Sequence, residues 1–169
     1  AAYNDNLLAK LGDNNVSIEN SVTIFDNTAY FANSGGRILG IDLEQAKNGI
    51  EKIVFDFWVG DDVDATIITD AEGSLYVMVE EERLNDRAKE LGQIIKLDTK
   101  KQNPVEWSIN VPTKKDAVLG GVWATPVIYK GFLYVPTNPG ELLTINTNSG
   151  KVSSRDEIGV HAWSSPLIS

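Results

Sequence analysis

Residues 123–150 read Trp-Ala-Thr-Pro-Val-Ile-Tyr-Lys-Gly-Phe-Leu-Tyr-Val-Pro-Thr-Asn-Pro-Gly-Glu-Leu-Leu-Thr-Ile-Asn-Thr-Asn-Ser-Gly. Three apolar runs lie in this stretch, Val127–Tyr129, Phe132–Val135 and Leu142–Ile145. Lys130-Gly131 separates the first two, Asn138-Pro139-Gly140 the next, and Asn148-Ser149-Gly150 closes the third. Runs of this length, broken by Gly and Pro, predict antiparallel hairpins. A lone meander cannot bury both of its faces, so it needs neighbours built the same way.

The chain contains such neighbours. Tyr134, Gly140 and Asn146 are spaced six and six, and so are Tyr30, Gly36 and Asp42. Gly92 and Asp98 are again six apart, but Tyr76 stands sixteen before Gly92. That copy carries an insertion at 80–90, inside the stretch Val79–Leu91. The third runs align as Ile38–Asp42, Ile94–Asp98 and Leu142–Asn146. Trp163-Ser164-Ser165-Pro166-Leu167-Ile168 then repeats Trp123–Ile128 forty residues on. A period of roughly 40–48 residues with four strands per unit predicts an all-β protein of propeller blades.

The motif Trp-x-x-Pro-apolar-apolar, x-Gly-x-x-Tyr-Val, Gly-x-Leu-x-x-Ile-Asn, x-x-Gly-Lys-Val resembles the repeat of the pyrroloquinoline-quinone-like β-propellers. The resemblance covers residues 20–169 and is strongest over 123–152; the first two copies lack the opening Trp and Pro. It implies rings of seven or eight blades, of which this chain holds three to four. It also implies a setting outside the cytoplasm, periplasmic or secreted. Two roles follow from it. One is a non-catalytic scaffold that binds a protein or carbohydrate. The other is a segment of a quinone-dependent dehydrogenase oxidising alcohols or sugars, with pyrroloquinoline quinone and calcium as cofactors. The dehydrogenases use a vicinal cysteine pair; this chain has no cysteine, which counts against the second role.

Composition excludes several other classes. Twenty-four acidic against fifteen basic residues give a net charge of −9. Nucleic-acid binding needs a basic surface, and anionic lipid repels an acidic one. The absence of cysteine excludes thiolate metal sites, disulfides and cysteine nucleophiles. No apolar run approaches the roughly 18 residues of a spanning helix.

The units follow in order. Residues 1–19 are a lead-in, in which Leu7–Leu11 is a helical turn or an outer strand. Blade one spans 20–60, blade two 61–115, blade three 116–160, and 161–169 begin a fourth. In blade one, strands are expected at Val22–Phe25, Ala29–Ala32, Arg37–Asp42 and Lys52–Trp58, with Val54 and Trp58 meeting the adjacent blade. Blade two is expected to start with an inner strand at Ala65–Thr69, and its charged insertion to be a solvated loop or helical turn. Pro136 implies a bulge or an unpaired edge, because proline removes a ladder donor. The chain opens Ala1-Ala2-Tyr3 without Met, and three blades do not close a ring. The expectation is that further blades of a longer chain, or a second copy, cover the open flanks.

In this fold the loop before each inner strand opens onto the central channel. That places Asp62, Asp64, Trp123, His161 and Trp163 at its mouth. His161, the sole histidine, is a proton carrier or a hydrogen-bonding group at a blade junction. Asp61, Asp62 and Asp64 are either an acidic turn or weak oxygen ligands for calcium. Trp123 and Trp163 occupy one repeat position, which favours a locking role over a unique stacking site. No nucleophile motif accompanies them, so no catalytic residue is assigned.

Overall fold

The structure, a computed structural model, describes residues 16–114 and 118–167. The helical turn or strand expected at 7–11 lies outside them. Each described copy of the repeat is a four-stranded antiparallel sheet whose strands are hydrogen-bonded in chain order. Sheet one holds β1 (Thr23–Phe25), β2 (Thr28–Ala32), β3 (Arg37–Asp42) and β4 (Ile53–Trp58). Sheet two holds β5 (Ile68–Thr69), β6 (Leu75–Met78), β7 (Ile94–Leu97) and β8 (Val105–Ile109). Sheet three holds β9 (Val127–Tyr129), β10 (Phe132–Pro136), β11 (Glu141–Asn146) and β12 (Val152–Glu157). Among the described residues there are two short helices, α1 (Leu43–Lys47) and α2 (Asp86–Leu91), about 7% helix. The sheets form an arc of propeller blades that does not close into a ring.

The repeated residues have repeated physical roles. Gly36, Gly92 and Gly140 all have left-handed φ, +77°, +79° and +84°. A Cβ on Gly140 would also stand 2.1 Å from the Gly159 carbonyl oxygen, so only glycine fits there. The Asp or Asn six residues on turns the chain toward the fourth strand. Asp42 accepts from the Glu44 and Gln45 amides, Asp98 from Lys100, and Asn146 from Asn148 and Ser149. Each third–fourth strand pairing then shifts register at one place, Gly40/Ile41, Lys96/Leu97 and Thr144/Ile145.

Packing runs from blade to blade. Tyr30, Ala32, Ile38, Phe55 and Phe57 of blade one meet Leu75, Val77, Ile95 and Leu97 of blade two. The other face of blade two, with Tyr76, Met78, Ile94 and Trp107, meets Leu133, Val135, Leu143 and Ile145 of blade three. Blade two is therefore covered on both faces, and every residue of β6 and β7 is buried. Tyr30 and Tyr76 are 6% and 0% exposed. Their counterpart Tyr134 is only half-buried, because no described sheet stacks on it.

Trp107 ties the second junction. Its Nε1 donates to the Thr147 carbonyl at 3.0 Å, its ring lies 5.9 Å from that of Tyr76, and Gly150 leaves room for it. The first junction is tied by Asn20, whose amide donates to Ala32 and Val63 carbonyls at 3.0 and 2.7 Å. A hydroxyl relay also crosses both: the Ser21 amide donates to Thr66 Oγ1, and the Thr66 amide to Thr125 Oγ1.

Three expectations need correction. Residues 65–67 are buried or half-buried but make no strand ladder, so the inner strand of blade two is only Ile68–Thr69. Val54 is exposed; alternation turns Phe55 and Phe57 toward blade two instead. Trp58 donates through Nε1 to the Gly35 carbonyl of its own blade at 2.9 Å and meets blade two through its carbonyl, which accepts from Arg87 Nε at 3.3 Å. Residues 161–167 have no strand ladder, and Leu167 is exposed.

The insertion is also less solvated than its charge implied. Asp61, fully buried, accepts from the amides of Glu82, Arg83 and Leu84 and so pins its start. Ala88 and Leu91 of α2 are buried against the sheets. Asp61→Ala would orphan three amides, and hydrogen exchange at 82–84 should accelerate by at least about tenfold, since about 1–3 kcal/mol of local protection is lost. Unchanged exchange there would show that Asp61 does not hold the loop.

Pro136 occupies an unpaired edge. The Thr137 amide donates to the Glu141 carbonyl, so N–H groups alternate and that of position 136 would face the β9 side. Pairing with β9 ends at Tyr134–Val127, so proline forfeits no ladder bond there.

Candidate functional site

The repeat itself builds the mouth of the channel. Four residues before the start of strand pairing in successive blades stand Glu19, Asp64 and Trp123, and Trp163 follows in the segment after blade three. Four residues after each repeat tyrosine stand Ser34, Glu80 and Asn138. The mouth therefore carries carboxylates on blades one and two and aromatic rings beyond.

On the aromatic side, Trp123 and Trp163 meet edge to face with centroids 5.8 Å apart, and the His161 ring lies 5.5 Å from Trp163. Asn138, fully buried, organises them. Its Oδ1 accepts from Trp163 Nε1 at 2.7 Å and stands 3.2 Å from His161 Nδ1, while its Nδ2 donates to the Leu119 carbonyl. Trp123 is half-buried, and Trp163 is 65% exposed.

On the acidic side, Asp64 lies beside Glu19 and Glu80, close enough for the three carboxyls to influence one another's protonation. Glu80 is 6% exposed, and its amide donates to the Asp62 carbonyl at 2.8 Å. Burial, reinforced by the Asp64 carboxylate, pushes Glu80 up to about 9. Burial and the same neighbour raise Asp62 to about 7, and burial raises Asp64. Exposed Glu19 moves the other way, lowered chiefly by the Ser17 hydroxyl. Glu80 thus holds its proton at neutral pH. Arg83 lies 3.7 Å from Asp61 and 3.8 Å from Asp62, on the far side of the cluster.

Asp62 Oδ1, Asp64 Oδ1 and Glu80 Oε1 are buried without a hydrogen-bond partner. Asp64, Trp123 and Trp163 together wall a cleft of about 370 Å³. Of the sequence candidates, the structure brings Asp64, Trp123 and Trp163 to this cleft, with His161 behind Trp163 and Asp62 beside Asp64. Asp61 is turned away and occupied by backbone amides. Among the described residues, no three His, Cys, Asp or Glu side chains converge as a metal site. Glu19 and Glu80 were missed in the sequence. Counting outward from the repeat tyrosines and strand starts places both in the ring.

No family model matches the chain, and no curated protein does. Solved structures do. BamB from Moraxella catarrhalis superposes with a TM-score of 0.56 at 18% identity, covering 80% of this chain and 35% of that one. A europium-containing methanol dehydrogenase gives 0.53 at 16% identity, covering 84% of this chain and 26% of that one. The computationally designed Ika4 protein gives 0.64 at 8% identity, covering 90% of this chain and 82% of that one. The chain thus spans about a third of the BamB chain and a quarter of the dehydrogenase. At these identities the likeness concerns the fold, and that fold is a partial β-propeller of the pyrroloquinoline-quinone-like type.

Proposed function

We propose that this chain is part of a non-catalytic binding scaffold, outside the cytoplasm, whose ligand enters at the channel mouth. The observation that supports it is the cleft walled by Trp123 and Trp163 beside Asp64. Two large rings and one polar anchor suit recognition of a protein side chain or a sugar. Other proteins, or further blades, cover the flanks of blades one and three in this reading.

The dehydrogenase reading fits the described residues less well. A pyrroloquinoline quinone carries carboxylates, and the mouth already carries the carboxylates of Glu19 and Asp64. Like charges at close range oppose such binding. No reaction step is derived for it.

The test titrates the 169-residue chain with peptides and with neutral oligosaccharides while following tryptophan fluorescence. A saturable change that Trp163→Ala abolishes is expected. In parallel, the chain with the quinone, calcium and an artificial acceptor should oxidise neither alcohols nor sugars above the blank. Turnover there would establish the enzyme instead.

A further inference from the structure

We propose that the mouth binds an organic cation, a primary ammonium or guanidinium on an apolar stem such as a Lys or Arg side chain of a protein partner. This rests on the binding reading above and names its ligand chemistry. Three observations converge on it.

The first is the division of the mouth. The same repeat position holds Glu19 and Asp64 on one side and Trp123 and Trp163 on the other, and the Asp64 carboxylate and the two indole rings wall a common space. A cation over an indole face gains from the ring quadrupole, and an adjacent carboxylate supplies the counter-charge. A neutral sugar would use the rings and offer hydroxyl donors to Asp64, but it would supply no counter-charge.

The second is unspent bonding capacity. Glu80, more than nine-tenths buried, leaves Oε1 without a partner, and Asp64, which lines the cleft, leaves Oδ1 without one. Buried polar atoms are seldom left unpaired, and a donor from a ligand would satisfy these. Glu80 has the place in blade two that Asn138 has in blade three. Asn138 reaches Trp163 in the next unit, and Glu80 lies beside Asp64, which walls the cleft.

The third is that the nearby protein cation is committed elsewhere. The Arg83 guanidinium serves Asp61, Asp62 and Glu82, and donates to the Ser34 carbonyl at 2.7 Å. It neutralises the far side of the cluster and leaves the Asp64–Glu80 side facing the rings.

The decisive comparison uses one side chain in three forms. Nα-acetyl-lysine methylamide, its Nε-acetylated form and the norleucine analogue are titrated into the wild-type chain at low ionic strength, with tryptophan fluorescence and calorimetry as readouts. The lysine compound should bind at least about tenfold more tightly than either uncharged analogue. Asp64→Asn should remove that preference, with circular dichroism confirming the fold. Equal binding of the three forms overturns the cation assignment. So does saturation by a neutral oligosaccharide without response to lysine, although that outcome leaves the binding reading standing. Calcium binding that excludes lysine would assign the carboxylates to a metal and overturn it as well. Silence toward every probe overturns both readings.

Discussion

Glu80→Gln is expected to stabilise the chain at pH 8 and to leave it nearly unchanged at pH 5. Glu80 titrates near its ordinary 4.5 in the unfolded chain but at about 9 in the folded one. Between those values the unfolded chain loses a proton that the folded chain keeps. Stability therefore falls as pH rises through that window and is flat outside it. Asp62, raised from 3.8 to about 7, adds a slope of the same sign across the lower part. Each tenfold change in proton affinity between the two states corresponds to about 1.4 kcal/mol, so the pair costs on the order of several kcal/mol between pH 5 and 9. The lowered carboxyls Asp42, Asp98 and Glu106 act oppositely, but only below about pH 4, and they are exposed enough to be screened. Glutamine retains the shape and does not titrate, so the variant removes the proton linkage with little loss of packing. Urea midpoints at five pH values would decide it. Parallel curves for the parent and the variant would show that Glu80 is ionised in the fold.

Trp107→Ala should cost about 3 kcal/mol, the lower end of the range for removing tryptophan, because the ring is partly rather than fully buried. Three contacts disappear together: the tilted ring contact with Tyr76, the bond to the Thr147 carbonyl and the cover over Gly150. The loss falls on one seam, so the turn at 147–150 should lose amide protection before sheet one does. Trp107→Phe keeps most of the ring and loses only the donor, at about 1 kcal/mol. If Trp107→Ala shifts stability by less than about 1 kcal/mol, the ring is an ornament of the surface and the junction is held by aliphatic packing alone.

The blades could be read from the sequence because their determinants are local. A tyrosine, a left-handed glycine and an Asx turn at fixed spacing need no knowledge of distant residues. The channel mouth was only half legible. Tryptophans at a repeat position announce themselves, and Trp123 and Trp163 were placed together on that basis. Glu80 did not, because it opens a run of acidic residues that reads as a solvated loop. Its burial is a tertiary fact, created by its bridge to Gly121 and by the closing of blade three over it. Val54 misled for a related reason. Both faces of β4 carry apolar residues, and only the stacking partner determines which face turns inward.

The outer strands differ in a way that shapes whatever lies beyond blade three. Toward the next blade, β4 presents Phe55 and Phe57 and β8 presents Trp107 and Ile109, opposite Gly40, Ile38, Lys96 and Ile94 respectively. The equivalent positions of β12, opposite Thr144 and Leu142, are Ser154 and Asp156, joined by a hydroxyl-to-carboxylate bond of 3.0 Å. A body stacked on this side finds a greasy wedge at the hub, made by Tyr134, Pro136 and Leu142, and a wet margin at the rim. Such a contact resists sliding at its root but lets the periphery splay. Any blade stacked there would part from this arc first at the rim, as a book opens from the fore-edge while the spine holds.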